Sequence, residues 1–256
     1  WVEEYLREIY GSLSEEEKKQ KIEELKTELK GIQNRQALID KLKELKRKDK
    51  ITNIFGLVYI PDDYEIVAVT DVHGDIEALN RAIQEFESRK NEGKKVAFVC
   101  MGDFVDRGKY SFEVTRRLFE LKQKYGDEVV IMKADHEGIN PIKVPGQNAY
   151  AFLIHPAEFG TTLGKSWKEE IEKNPERAID YVKEVYIDTF SKLPYCVIWR
   201  DFIITHGGLP LKVKKEENQY IIEEDFKIGD LIEAEDLTHI YWADVGEAKL
   251  IAPSKR

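Results

Sequence analysis

Cysteine and methionine are scarce in this chain of 256 residues, which contains two of each. Cys100 and Cys196 both lie in apolar stretches, and neither has a second cysteine close by in the sequence. A disulfide framework or a cysteine-rich zinc site needs several cysteines at characteristic spacings, so this chain has neither as its organising feature. We therefore expect two buried free thiols, as is usual for a cytoplasmic protein.

Long apolar runs and an excess of basic residues are also lacking. No run approaches the roughly 18 apolar residues that span a membrane, and no signal-peptide pattern opens the chain. The formal net charge of −9 disfavours nucleic acid as the main partner, because a nucleic-acid site needs a basic surface. These absences predict a cytoplasmic protein that binds neither membranes nor nucleic acid.

The first 50 residues have the pattern of helices, and we interpret 1–50 as an N-terminal helical extension. Ser14 followed by Glu17 is a capping box, and Gly31 ends the apolar periodicity that follows it. A basic run at 46–48 closes the segment. The N-terminal helices could bind a protein partner, with this run as a docking surface, although a solvated helix face is the favoured interpretation of the charges.

The pattern changes after Pro61, where three short apolar runs alternate with helical stretches. The runs are residues 66–69, 96–99 and 129–132, and the helices are predicted over 76–89 and 112–125. This alternation predicts an α/β sheet whose strands are covered on both faces. Residues 137–166 contain several prolines and glycines and are predicted to form an irregular region that carries or covers a site. Further along, the apolar residues 197–199 and 202–204 flank Arg200-Asp201, a pattern that predicts a tight hairpin.

Carboxylate and imidazole side chains follow the predicted strands. The clusters are Asp71-Val72-His73, Gly102 to Gly108, Asp135-His136-Glu137 and His206-Gly207-Gly208. Ligands bind at the carboxyl ends of strands in open α/β sheets, so these clusters are expected to converge. One such cluster alone is more often structural, but four together predict a site for divalent ions such as Mn, Fe or Zn. Arg107 offers a fork that matches phosphate.

These motifs resemble those of the phosphoprotein phosphatase family, within the calcineurin-like metallophosphoesterases. The family blocks GDxHG, GDxVDRG, GNHE and HGG correspond here to TDVHG at 70–74, GDFVDRG at 102–108, ADHE at 134–137 and HGG at 206–208. The resemblance covers about residues 60–256. It implies a four-layer αββα sandwich, with a catalytic domain over 51–256 that follows the helical extension.

The resemblance also implies a role for each site residue. Asp71 and His73 would bind the first metal ion and Asp103 would bridge both ions, while Asp135 and His206 would bind the second. Two divalent ions are implied, with Mn favoured and Fe or Zn as alternatives, and they would activate water for attack on phosphorus. The implied contacts to phosphate come from Arg107, Asp135, His136 and Arg256. His136, oriented by Asp106, would be the general acid.

The chain departs from the family pattern at several positions. Thr70 and Ala134 replace glycines, a change that causes strain only where φ is positive. Asp135 replaces an asparagine, so an amide donor is lost and a charge that repels phosphate is gained. The family has a further metal-binding His in a late strand, and no such segment follows Trp242. We therefore expect the last strands to be missing.

Two other histidines could in principle supply that ligand. Packing is the favoured role for His239, and a surface role is favoured for His155. The leading functional hypothesis is a protein serine/threonine phosphatase. The alternatives are a small-molecule phosphoesterase, such as a dinucleoside polyphosphate hydrolase, and a weakly active or inactive phosphatase-like binding module.

Overall fold

The computed structural model describes residues 2–137, 141–143, 150–152, 184, 188–208, 213–216, 219–222 and 227–232. Its helices are α1 (Val2–Tyr10), α2 (Glu15–Lys30), α3 (Arg35–Glu44), α4 (Ile76–Asn91) and α5 (Ser111–Tyr125). Its strands are β1 (Thr52–Ile54), β2 (Leu57–Ile60), β3 (Glu65–Val69), β4 (Val96–Cys100), β5 (Val129–Ile131), β6 (Pro141–Lys143), β7 (Tyr150–Phe152), β8 (Cys196–Trp199), β9 (Phe202–Thr205), β10 (Val213–Glu216) and β11 (Gln219–Ile222).

The three predicted apolar runs form one parallel sheet in the order β3-β4-β5. Residues of β4 alternate between two cores, because successive side chains in a strand point to opposite faces. Val96, Phe98 and Cys100 pack into a core that also contains residues of α4 and α5. Ala97 and Val99 pack on the opposite face. This central strand is buried along its whole length, as its continuous apolar sequence predicted.

A second sheet has the order β1-β2-β8-β9 and mixes parallel and antiparallel pairs. Strands β8 and β9 form the predicted hairpin, in which Trp199 pairs with Phe202 across a two-residue turn. The hairpin of β1 and β2 was not predicted. Its strands have three and four residues, and such short runs give almost no periodic signal.

The two sheets face each other and have helices on their outer faces. Val58 of β2, Val197 of β8 and Val130 of β5 meet in one core between the sheets. On the far side of the second sheet, Leu29 of α2 and Leu38 of α3 pack into a core with Leu57 and Cys196. The order of layers is therefore helices, sheet, sheet, helices, which confirms the predicted fold class.

The N-terminal helices begin and end as their sequence indicates. Ser14 caps α2 in the predicted capping box with Glu17, and Gly31 is the residue at which α2 ends. The loop after α2 binds a distant part of the chain, because Gly229 donates its N–H to the carbonyl of Ile32 at 2.8 Å. The boundary at residue 50 stays a prediction, although α2 and α3 share a core with the second sheet.

One feature of the predicted irregular region is corrected by the structure. Strands β6 and β7 lie within 137–166 and pair antiparallel, from Pro141 with Phe152 to Lys143 with Tyr150. Each has three residues, so the flanking prolines and glycines dominated the sequence pattern. The other residues of this region from 138 onward lie outside the described ranges. In the described part of the chain, no helix has the length and apolar character needed to cross a membrane.

Candidate metal centre

The candidate site lies where β3 and β4 end, and two loops are joined there by backbone hydrogen bonds. His73 donates its N–H to the carbonyl of Asp103 at 2.8 Å, and Gly74 donates to Phe104 at 3.1 Å. Since β3 and β4 are parallel neighbours, their carboxyl ends lie at the same edge of the sheet. The first two predicted clusters therefore meet directly.

Left-handed backbone is concentrated in this site. Eight non-glycine residues of the described part have positive φ, and five of them are predicted site residues. They are Asp71 (50°), His73 (42°), Asp103 (53°), Asp106 (67°) and Arg107 (59°). This conformation is uncommon outside glycine, and such residues cluster at sites where the surrounding structure enforces them.

Two imidazoles are oriented in the same way by backbone carbonyls. The Nδ1 of His73 donates to the carbonyl of Val105 at 2.9 Å, and the Nδ1 of His206 donates to that of Met101 at 3.1 Å. Each Nε2 then faces the carboxylate of Asp103, at 3.5 Å from His73 and 3.4 Å from His206. A hydrogen bond at Nδ1 is the usual way in which a metal-binding histidine is held with Nε2 toward the ion.

The remaining carboxylates flank the same two imidazoles. Asp71 Oδ1 lies 3.9 Å from His73 Nε2, and Asp135 Oδ1 lies 3.5 Å from His206 Nε2. Among the described residues, two groups have ligand atoms within 4.8 Å of one another, namely His73 with Asp103 and His136, and Asp71 with Asp103 and His206. Asp103 belongs to both groups. These groups differ from the predicted ligand sets, because Asp71 lies with His206 and the predicted general acid His136 lies with His73. The bridging role of Asp103 stays a prediction.

The geometry of this cluster fits divalent metal ions. The Nε2 of His73 is buried and has no hydrogen-bond partner among the described residues, which is costly unless another group binds it. The surrounding donors are imidazole nitrogens and carboxylate oxygens, a set that suits Mn, Fe or Zn. The assignment of each ligand to one ion stays a prediction.

His136 is held beside this cluster by Asp106. Its Nδ1 donates to Asp106 Oδ2 at 2.8 Å, and its Nε2 lies 3.3 Å from Nη2 of Arg107. Burial alone would lower the pKa of His136, but the bond to Asp106 and the charges of Asp103 and Asp135 raise it to about 9. Because Nδ1 donates to Asp106, Nε2 can accept the hydrogen bond from Arg107 only while the ring is neutral.

Asp135 is an ionised carboxylate in this arrangement. Burial opposes ionisation, but a hydrogen bond with His206 and the charge of His136 lower its pKa. Its Oδ2 lies 3.7 Å from Nε2 of His136, on the side opposite Asp106. A negative charge therefore stands next to the predicted general acid.

The two replaced glycines cause no backbone strain, because neither Thr70 nor Ala134 has a positive φ. Gly102, which lies against Ala134, must by contrast be a glycine. A Cβ on Gly102, which has φ of 97°, would lie 2.5 Å from the Cβ of Ala134. The methyl group of Ala134 thus fits only because Gly102 has no side chain.

Glu137 has a role that the sequence analysis missed. It is fully buried, and burial together with the charge of Asp103 raises its pKa to about 7, although backbone donors oppose this shift. Its carboxylate accepts four backbone N–H groups, from Asp103 (2.9 Å), Phe104 (2.9 Å), Val105 (3.3 Å) and Ala134 (3.1 Å). Glu137 therefore fixes the loop that carries Asp103. In the sequence, the position of Glu137 directly after Asp135 and His136 was the one sign that it belongs to the site.

Some predicted positions lie outside the described residues. These are Arg256, His155, His239 and the Trp242 segment. Their predicted roles are therefore not part of the observed geometry. The two cysteines are described, and both are free and buried, as predicted.

Comparison with known proteins finds relatives named as protein phosphatases. The chain is 25% identical over 203 residues to serine/threonine-protein phosphatase T of Trypanosoma brucei brucei, which covers 79% of this chain and 37% of that protein. It is 27% identical over 158 residues to Shewanella-like protein phosphatase 1 of Plasmodium berghei, covering 59% of this chain and 41% of the relative. The chain thus spans less than half the length of either relative.

A solved serine/threonine phosphatase from Saccharomyces cerevisiae has a TM-score of 0.40 to this chain at 20% identity, over 72% of this chain and 49% of the other. The family of calcineurin-like phosphoesterases matches residues 64–254, which include every described residue of the candidate site. That match spans most of the chain and implies divalent metal ions as cofactors. The chain therefore belongs to the calcineurin-like phosphoesterase family.

Proposed function

We propose that this chain hydrolyses phosphate monoesters with two divalent metal ions, Mn being favoured, and that its substrates are phosphoserine and phosphothreonine residues of proteins. One observation carries the proposal: the same oxygen of Asp103, Oδ2, lies 3.5 Å from Nε2 of His73 and 3.4 Å from Nε2 of His206. Two imidazoles that face a shared carboxylate offer a binding position for an ion on each side.

The ligands of this centre would be the residues predicted from the sequence. Asp71 and His73 would hold one ion, Asp135 and His206 the other, and Asp103 both. When bound, the ions supply a nucleophile at neutral pH by lowering the pKa of water, and they offset charge on the phosphate.

The neighbouring side chains would act on the phosphate itself. Arg107 would bind its oxygens with the planar guanidinium, which matches phosphate geometry. His136 would donate a proton from Nε2 to the departing oxygen, while its bond to Asp106 at 2.8 Å keeps the ring oriented. Arg256 would add a further phosphate contact.

The choice of protein substrates is supported by the relatives. The Trypanosoma brucei brucei relative is named a serine/threonine-protein phosphatase. The acidic composition adds no preference for a particular substrate, and hydrolysis of small phosphoesters is the nearest alternative. The cytoplasmic location expected from the sequence also stays a prediction.

Asp135 favours a second candidate function, that of a phosphatase-like binding protein with little turnover. Its ionised carboxylate lies 3.7 Å from Nε2 of His136, so it competes for the proton that the leaving group needs. It would also repel the anionic substrate. Two like charges about 4 Å apart repel by about 1 kcal/mol in water and by about 4 kcal/mol near a protein surface.

The two candidates are distinguished by an Asp135→Asn variant. We would measure hydrolysis of an aryl phosphate and of a phosphoserine peptide, with added Mn or with EDTA. We expect slow Mn-dependent hydrolysis by the unmodified chain and at least about a tenfold faster reaction in the variant, since each 1.4 kcal/mol is about tenfold in rate.

The matched control is Asp63→Asn, which removes a charge from an exposed residue paired with Lys95. This control should leave the rate unchanged. Silence of both the unmodified chain and Asp135→Asn, with Mn bound, would support the binding protein. Hydrolysis that persists in EDTA would contradict the metal-dependent proposal.

A further inference from the structure

Among the five predicted metal ligands, Asp71 is the exposed one. Its side chain is 54% exposed, whereas those of Asp103 and Asp135 are 5% and 11% exposed. An exposed carboxylate rotates more freely than a buried one, and binding an ion must then restrict that rotation. Asp71 therefore gains most from a neighbour that fixes its orientation.

The other ligands are restrained by the fold. Carbonyl oxygens of Val105 and Met101 hold the two imidazoles. Asp103 is buried in the loop that Glu137 binds. Within the described residues, the only hydrogen bond to the side chain of Asp71 comes from Thr70, whose Oγ1 donates to Oδ2 at 2.6 Å.

This hydrogen bond distinguishes the two oxygens of Asp71. Oδ2 accepts from Thr70, and Oδ1 is the atom that lies 3.9 Å from Nε2 of His73. The backbone of Asp71 is left-handed, with φ of 50°. An aspartate tolerates that conformation best when its side chain makes a local hydrogen bond.

We propose that Thr70 is a positioning residue for metal binding: its hydroxyl holds Asp71 so that Oδ1 is presented to the ion beside His73. The inference rests on the proposed function, because it assigns Asp71 to that metal centre. Threonine suits the task because its branched Cβ limits rotation of the hydroxyl.

The test is a titration of the metal-free chain with Mn²⁺, followed by calorimetry and by the loss of the free Mn²⁺ EPR signal. Thr70→Val keeps the shape and removes the hydroxyl, and Thr70→Ser keeps the hydroxyl. We expect Thr70→Val to weaken one of two Mn²⁺ sites about tenfold, the effect typical of removing a group that orients a ligand. Thr70→Ser should bind within about twofold of the unmodified chain.

Thr27→Val is the matched control, since Thr27 is an exposed threonine of α2 whose hydroxyl donates only to the helix carbonyl of Glu23. It should leave both Mn²⁺ sites unchanged. Unaltered binding in Thr70→Val, or equal losses in the valine and serine variants, would overturn the role of Thr70 while the two-metal proposal stands. An unmodified chain that binds no Mn²⁺ would overturn the proposed function and this inference together.

Discussion

At the scale of single residues, the site is built from conformations that are individually unfavourable. Asp71, His73, Asp103, Asp106 and Arg107 all have positive φ. Each such residue costs on the order of 1–3 kcal/mol, so contacts elsewhere must hold it in place. Glu137 provides several of these contacts at once, because its carboxylate accepts four backbone N–H groups.

Replacing Glu137 by glutamine tests that role. The amide oxygen of glutamine can still accept from some of the four backbone N–H groups. Its NH₂ group is a donor, however, so it leaves the remaining N–H groups without an acceptor. We expect the free energy of unfolding in urea to fall by about 1–3 kcal/mol, the cost of leaving buried donors unpaired. Mn²⁺ binding should weaken as well, because the loop with Asp103 is loosened.

Glu120→Gln is the control for this substitution. Glu120 is exposed and pairs loosely with Arg116 at 3.6 Å, so its loss should change stability by less than about 1 kcal/mol. If Glu137→Gln were as stable as this control and bound Mn²⁺ normally, Glu137 would not be the residue that fixes the loop.

At the scale of elements, the loops after β3 and β4 touch through their backbones. A Cβ built on Gly108 would lie 2.0 Å from the carbonyl oxygen of His73 and 2.9 Å from the carbonyl carbon of Gly74. Side chains are excluded from this contact, so the two loops can approach closely only because both residues are glycine. The close approach helps to bring Asp71 and Asp103 to one centre.

Gly108→Ala should therefore separate the two loops. We expect a free energy of unfolding about 1–3 kcal/mol lower, the usual cost of overpacking, and weaker Mn²⁺ binding in the same titration. Gly93→Ala is the control, because Gly93 has φ of 80° but nothing within 4 Å of an added Cβ. It should lose about 1 kcal/mol of stability from its backbone and bind Mn²⁺ normally.

A Gly108→Ala variant with unchanged Mn²⁺ affinity would show that the approach of the two loops does not set the geometry of the ligands. A loss of Mn²⁺ binding in Gly93→Ala would instead show that metal affinity follows overall stability. The two variants together therefore separate local geometry from global destabilisation.

At the scale of the whole molecule, the N-terminal helices share a core with the second sheet. Leu38 of α3 is fully buried beside residues of β2 and β8, and Leu79 of α4 is fully buried on the outer face of the first sheet. The core between the sheets joins these two regions. We therefore predict that the N-terminal helices and the two sheets unfold as a single cooperative unit.

Leu38→Ala and Leu79→Ala should therefore act on the same unfolding transition. Each should lower the free energy of unfolding by about 2–5 kcal/mol, the range for buried leucines. Circular dichroism and tryptophan fluorescence should give coincident urea curves for both variants. A Leu38→Ala chain that melts in two steps, and still binds Mn²⁺ after the first, would support an independent helical segment.

Several features of the fold were predictable from the sequence because local chemistry determines them. Strands β3, β4 and β5 were predicted because continuous apolar runs suit strands covered on both faces. β4 and β5 are buried along their whole length, whereas the edge strand β3 is partly exposed, at Ala68 among others. The start of α2 was predicted because Ser14 and Glu17 satisfy the first N–H groups of the helix locally. The hairpins of β1 with β2 and of β6 with β7 were not predicted, because these strands are defined by their pairing and not by an apolar run that stands out in the sequence.

The sequence by itself determined the residue types of the candidate metal centre and their position after strands. The loops after β3, β4 and β5 lie together because parallel strands end at one edge of a sheet. His206 follows β9 of the second sheet, so only the packing of the two sheets brings it to the same place. Tertiary structure alone decided how those residues are held. Carbonyls of Met101 and Val105 orient the imidazoles, Glu137 binds the loop of Asp103, and Thr70 selects one oxygen of Asp71. Most of these contacts join residues far apart in the chain, and even the bond between neighbours depends on a left-handed backbone that the surrounding loops impose. A local sequence pattern encodes neither the long-range contacts nor the left-handed backbone.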